Sequence, residues 1–196
     1  MDFPNSEFWN YSTQIWNLPD VEKICLTLQN NFDTDTNILL YCCWVGDKNL
    51  NLNDDDLQSL LDTIQPWQTI IKPLRESRKL MQQQSIAMPS NLKDQTISNL
   101  NDMELNAEHM AQLALEKALK LKNIASCAQK SGVNTGKNTA AQDAEINGIG
   151  CSLVNIKTYL STLDSLTSAD EIMPQISQLL TAIFQDEEAV QMAMMG

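Results

Sequence analysis

Ile38-Leu39-Leu40-Tyr41-Cys42-Cys43-Trp44-Val45 is the longest nearly uninterrupted apolar run in the chain, and its reading decides the fold. Its apolar side chains cannot all be covered from one side. The run is a helix buried on most sides or a buried strand, and periodicity does not separate the two over so short a stretch. The residues in front of it tilt the choice. Asp33-Thr34-Asp35 offers side-chain oxygens to the free N–H groups of a first helical turn beginning near Thr36, and Gly46-Asp47 ends the segment. The expectation is a central helix with other helices packed around it.

Amphipathic helices flank this run. Pro4-Asn5-Ser6 opens one that places Phe8, Tyr11, Ile15 and Trp16 on a face. Leu18-Pro19-Asp20 ends it and starts the next, in which Val21, Ile24, Cys25 and Leu28 follow helical spacing. Asn53 or Asp54 caps a helix with Leu57, Leu60, Leu61 and Ile64 inward. Pro66 starts or kinks a further one, and Pro73 bends or breaks it. Gln82 to Ser90 reads as a hinge, followed by one long helix to about Cys127 and a loop over Ser131 to Asn138. A Gly-interrupted helix from about Thr139 to Leu163 comes next. The capping box Ser168-x-x-Glu171 opens the last helix, and the end from Asp186 through the Met-rich tail is expected to fray. The expected class is all-α: a compact multi-helix bundle around a buried central helix. It divides into a helical core over residues 1–84 and a C-terminal helical extension over residues 89–196, packed on that core.

Composition narrows the function classes. The chain has 196 residues and a formal net charge of -12, a balance that repels nucleic-acid phosphates and anionic membranes. The five cysteines show no CxxC spacing and are odd in number, and three lie in apolar runs where a free thiol packs as a small hydrophobe. A reducing, cytoplasmic compartment is expected. The N-terminus has neither a basic nor an apolar leader segment, and no apolar run is long enough to span a bilayer.

One ordered string of residues carries more than composition does. Phe8-Trp9-Asn10-Tyr11-Ser12, Cys25-Leu26-Thr27-Leu28-Gln29, Asp35-Thr36-Asn37-Ile38-Leu39-Leu40, Trp44, Pro66-Trp67 and Pro73-Leu74-Arg75-Glu76-Ser77-Arg78 follow one another in register. The string resembles a family of short, uncharacterised proteobacterial proteins, a domain of unknown function. Its pattern runs Phe-Trp-x-x-Ser, Cys-Leu-x-Leu-Gln, Asp-Val-Asn-Leu-Leu-Leu, Trp-Leu, Trp and Pro-Leu-Arg-x-x-Arg. The likeness continues weakly to about Leu119. It departs at Asp20, where the family usually has Gly after the proline. The resemblance implies a fold and brings no activity with it.

Lys72, Arg75, Arg78 and Lys79 put cations on one helical stripe, and Arg75 and Arg78 are the chain's two arginines. The planar guanidinium suits bidentate capture of carboxylate or phosphate, so the stripe is a candidate anion or partner site. The plainer reading is pairing with acids of the chain itself, such as Asp62 or Asp54-Asp55-Asp56. Trp9, Trp44 and Trp67 are candidate pocket or surface aromatics, with core packing as the plainer reading. Asp33, Asp35 and Asn37 alternate like the start of a Ca²⁺ loop but lack its Gly and Glu, so they read as a cap. Glu104, Glu108 and His109 lack the paired Glu-x-x-His motif of di-iron bundles and read as a solvated helix face. Gly132 to Thr139 lacks the spacing of a phosphate loop.

These observations favour a bacterial, cytoplasmic protein-interaction or regulatory module without catalysis. It would need neither cofactor nor metal, would have a protein partner, and leaves homo-oligomers open. The alternative is a small-molecule-binding protein or enzyme with a pocket near Tyr41, Cys43, Trp44 and Trp67. A third reading, nucleic-acid binding through Lys72 to Lys79, runs against the acidity.

Overall fold

A computed structural model of the chain describes residues 3–84, 87–119, 125–126, 140–163 and 169–195. The fold is all-α. Its helices are α1 (Glu7–Trp16), α2 (Val21–Phe32), α3 (Thr36–Asp47), α4 (Asp54–Gln83), α5 (Ser90–Ala118), α6 (Ala140–Leu160), α7 (Ala169–Phe184) and α8 (Glu187–Met195). One two-residue antiparallel pairing joins β1 (Leu50–Asn51) to β2 (Ala125–Ser126). Among the described residues, no helix is long and apolar enough to cross a membrane.

α3 is the centre. All residues from Ile38 to Val45 are buried, because α1, α2 and α6 surround the helix. Its start is set as the cap chemistry requires: the Asp35 Oδ1 accepts from the N–H of Asn37 at 2.8 Å and of Ile38 at 3.3 Å. The N–H of Asp35 itself donates to the Tyr159 hydroxyl of α6 at 2.7 Å. Further along, the fully buried Asn155 of α6 donates to the carbonyls of Cys42 and Leu50 and accepts from the N–H of Leu52. One amide thereby satisfies three backbone groups where the chain leaves α3, which removes the penalty of burying them.

Asp20 lies in the left-handed region (φ 66°) and makes no side-chain cap bond. A glycine would adopt that conformation without strain, and Asp is among the few other residues that tolerate it. Asn53 forms a reciprocal capping box with Asp56, so the acidic cluster Asp54-Asp55-Asp56 sits in a first helical turn, where negative charge is favourable.

Several boundaries differ from the expectation. Pro66 and Pro73 lie inside one continuous helix of 30 residues, α4, instead of dividing it. Gln82 and Gln83 belong to that helix as well. α5 does not run to Cys127: it stops at Ala118, and Ala125–Ser126 are extended against β1. The end of the chain is helical, with Asp186 accepting from the N–H of Ala189 at 2.9 Å and Ala189 and Val190 buried. Cys25, Cys42 and Cys43 are free and buried, whereas Cys151 is disulfide-bonded, against the expectation of reduced thiols throughout. Ser168 and the Ser131 to Asn138 segment, with the Gly132 to Thr139 motif, lie outside the described residues, Thr139 included.

Candidate functional site

α4 and α5 lie side by side and run antiparallel, since Arg75 meets Glu108 while Arg78 meets Glu104. On α4, Arg75 and Arg78 are three residues apart; on α5, Glu104 and Glu108 are four apart. Both spacings keep side chains on one helical face. The result is a row of alternating charge. Arg78 places its Nε 2.7 Å from Glu104 Oε2 and an NH2 hydrogen toward Oε1 at 3.2 Å. Arg75 donates from Nε to Glu104 Oε1 at 2.8 Å and from NH2 to Glu108 Oε1 at 2.7 Å. From α2, Gln29 Oε1 accepts from Arg75 NH1 at 3.0 Å.

The row sets its own protonation. Burial would raise the carboxyl of Glu104, but hydrogen bonds from Arg78 and Arg75 outweigh it and hold the group below the usual carboxylate range. Glu108 goes the other way. Burial, with the nearby charges of Glu104 and Asp35, lifts it above that range against the pull of Arg75. Arg75 would be lowered by burial, yet its two carboxylates raise it further.

This row forms one wall of a cleft of about 590 Å³ between α1, α2, α4 and α5, with α3 beneath. That volume is in the range of small-ligand sites. Trp9 and Trp16 of α1, Leu26 of α2 and Leu105 of α5 supply apolar lining. The floor is a buried chain of polar groups: the Ser12 hydroxyl donates to Gln112 Oε1 at 2.6 Å, and Gln112 Nε2 donates to Asn37 Oδ1 at 2.8 Å. α1 is held against α5 at two further points. Glu116 accepts from the Ser6 hydroxyl, and the indole of Trp9 stacks on the imidazole of His109 with centroids 3.8 Å apart and 6° between planes.

Of the basic stripe, Arg75, Arg78 and Lys79 line the cleft; Lys72 stands exposed and is not part of the lining. Neither arginine pairs with Asp62 or with Asp54-Asp55-Asp56; the partners are Glu104 and Glu108. The reading of Glu104, Glu108 and His109 as a solvated face is corrected here. Glu104 is 6 % exposed and His109 9 %, because the stripe of α5 that carries them packs on α4 and α1. The spacing of Glu104 and Glu108 puts both on one face of α5, but nothing in the sequence pairs that face with the two arginines.

Trp9 reaches the cleft, whereas Trp44, Tyr41 and Cys43 are packed in the core, Trp44 lying 5.3 Å from the rings of both Phe8 and Tyr41. Trp67 is partly buried against the core. The thiols of Cys25, Cys42 and Cys43 are all pushed up by burial, that of Cys25 to about 12, so each stays protonated and a weak nucleophile at neutral pH. His109 stacks on Trp9 and packs against the tilted ring of Phe3. A second depression of about 750 Å³, between α2 and α7, has neither aromatic lining nor an ion pair among its described residues.

Residues 7–115 match the model of a family described as a protein of unknown function (DUF2390), more than half of the chain and a stretch that contains every residue of the cleft. None of the curated proteins and none of the solved structures matches.

Proposed function

We propose that this chain, which belongs to the DUF2390 family of proteins of unknown function, is a cytoplasmic bacterial binding module that recognises its partner in the cleft between α1, α2, α4 and α5. The observation that carries this reading is the state of Arg78. Glu104 occupies its Nε and one NH2 hydrogen, and no further hydrogen bond engages its NH1 group among the described residues. A guanidinium held in place on one edge and open on the other is preorganised for a bidentate acceptor. Lys79, exposed beside it, adds charge at the same wall.

The placement of the chain's thiols and histidine, outside the cleft lining, favours binding over catalysis there. The buried thiols are protonated, and the one histidine is packed against aromatic rings. The overall acidity and the three buried free thiols support a cytoplasmic setting, while the disulfide at Cys151 pulls the other way. Acidity also disfavours a nucleic-acid partner.

The test is position-specific photo-crosslinking in the native host. A crosslinker at Leu105, in the cleft lining, should capture a discrete partner that one at Val154, exposed on α6, does not. Introducing Leu26→Glu should abolish the Leu105 product. Equal labelling from the two positions, or none from Leu105, overturns the reading.

A further inference from the structure

Resting on the cleft as the recognition site, we propose that its occupant is a small zwitterion, a free amino acid or a short peptide with both termini free, bound by both charged ends. The row Arg78–Glu104–Arg75–Glu108 alternates in sign and is closed in its middle, where Glu104 and Arg75 engage each other and the outer groups. Its ends are open. Arg78 has NH1 free of hydrogen bonds at the cationic end, and Glu108 has Oε2 free at the anionic end, among the described residues. A row that is positive at one end and negative at the other is complemented by a ligand with the reverse polarity: a carboxylate on Arg78 and an ammonium on Glu108. Three acids (Glu22, Glu104, Glu108) and three bases (Arg75, Arg78, Lys79) line the cleft, so it selects no net charge.

Length follows from the helices. Arg78 and Glu108 stand diagonally across the seam, offset by about one helical turn of ~5.4 Å along the axis. With a hydrogen bond of about 2.8 Å at each end, the ammonium and carboxylate of one free amino acid already cover that offset. Each further extended residue adds about 3.3–3.6 Å, so a short peptide with free ends has the same polarity and a longer diagonal reach across the seam. The remaining lining fits a peptide backbone: the carboxamides of Gln29, Asn30 and Asn101 each carry both donors and an acceptor, as the C=O and N–H groups of a peptide require. Trp9, Trp16 and Leu105 offer surface for its side chains. The Glu108 carboxyl, surrounded by the negative charges of Glu104 and Asp35, gains from an arriving ammonium.

The test uses the full chain with the standard free amino acids and the tripeptides Ala-X-Ala, X covering the standard residues, surveyed by native mass spectrometry and measured by calorimetry. The tightest binder is then compared with its N-acetylated and its C-amidated forms. Each cap should weaken binding by about tenfold or more. Arg78→Gln should remove the discrimination against the amide, and Glu108→Gln that against the acetyl form. If Arg78→Gln does not fold, Arg78→Lys keeps the charge beside Glu104 without the fork and serves in its place. Capped ligands that bind as tightly as the free one, with that binding lost in Leu26→Glu, overturn the inference and leave the cleft a binding site. Absence of saturable binding by any free amino acid or tripeptide also overturns it, and the Leu105 crosslink then decides separately whether the cleft binds anything.

Discussion

Gly46 on α3 and Ser152 on α6 meet backbone to backbone: a Cβ on Gly46 would lie 2.2 Å from the Ser152 Oγ and 2.4 Å from its amide nitrogen. The hydroxyl of Ser152 donates to the Cys43 carbonyl at 3.3 Å, so the two helices are fastened where they touch. Gly46→Ala has nowhere to put its methyl without moving α6. Overpacking of this kind costs typically about 1–3 kcal/mol, and more when backbone must shift. Gly150, on the same helix as Ser152, has open space at its Cβ position. There Gly→Ala should stabilise by up to ~1 kcal/mol through helix propensity. Urea denaturation of the two variants should move in opposite directions.

Asp35 is fixed by three kinds of contact: two N–H groups of the α3 first turn, the Tyr159 hydroxyl at its backbone, and the Gln68 side chain, which donates to Oδ2. Asp35→Ala should cost about 1–2 kcal/mol for the lost cap, with a further penalty for the stranded amides. Asp35→Asn keeps one acceptor oxygen for the helix and should recover most of that loss in thermal denaturation. Burial also raises the carboxyl of Asp35, which makes the neutral amide a close substitute.

His109 is held below its ordinary value by burial, and its Nε2 has no hydrogen-bond partner. The folded protein therefore resists the proton that the unfolded chain takes up near pH ~6.5. The sign follows: this contribution is complete above that pH and declines as pH falls through it toward the lower folded value. Glu108 and Asp35, both raised, contribute with the opposite sign at lower pH. His109→Phe keeps a ring against Trp9 and cannot titrate. Denaturation midpoints taken between about pH 7 and pH 5.5 should fall less steeply in the variant than in the parent chain.

Glu104 accepts from both arginines while itself nearly buried. Glu104→Ala leaves two guanidiniums without their shared partner, and breaking a buried pair by removing one member costs about 3–5 kcal/mol. The partial exposure of both arginines reduces that figure. Glu104→Ala should still destabilise more than Arg78→Ala, because Arg75 keeps Glu104 satisfied in the second variant. Paired urea titrations give the order directly.

The fold was legible where local chemistry and burial agree. Asp35 ahead of an eight-residue apolar run dictates a buried helix with its start marked. Pro66 does not start a helix and Pro73 does not break one, because proline costs a helix about one hydrogen bond and packing of α4 along α5 outweighs that loss. The arginines were visible as a pair, but their partners were not. Glu104 and Glu108 look like any acids on a polar helix until α5 lies antiparallel along α4. Of the amides that pave the cleft, Gln29 and Asn37 stand in the family-like motifs and Gln112 does not, and none of them announces the cleft, since three separate helices bring them together.

The cleft as a recognition site is tested most directly by the four indole N–H signals of the ¹⁵N-labelled protein, assigned by single Trp→Phe replacements, during titration with the tightest-binding amino acid or Ala-X-Ala tripeptide. Trp9 and Trp16 line the cleft, while Trp44 is buried in the core and Trp67 lies outside the lining. The account predicts saturable shifts of the Trp9 and Trp16 signals, with Trp44 and Trp67 unmoved. Shifts confined to Trp44 or Trp67, or a bound ligand that moves neither Trp9 nor Trp16, would contradict it.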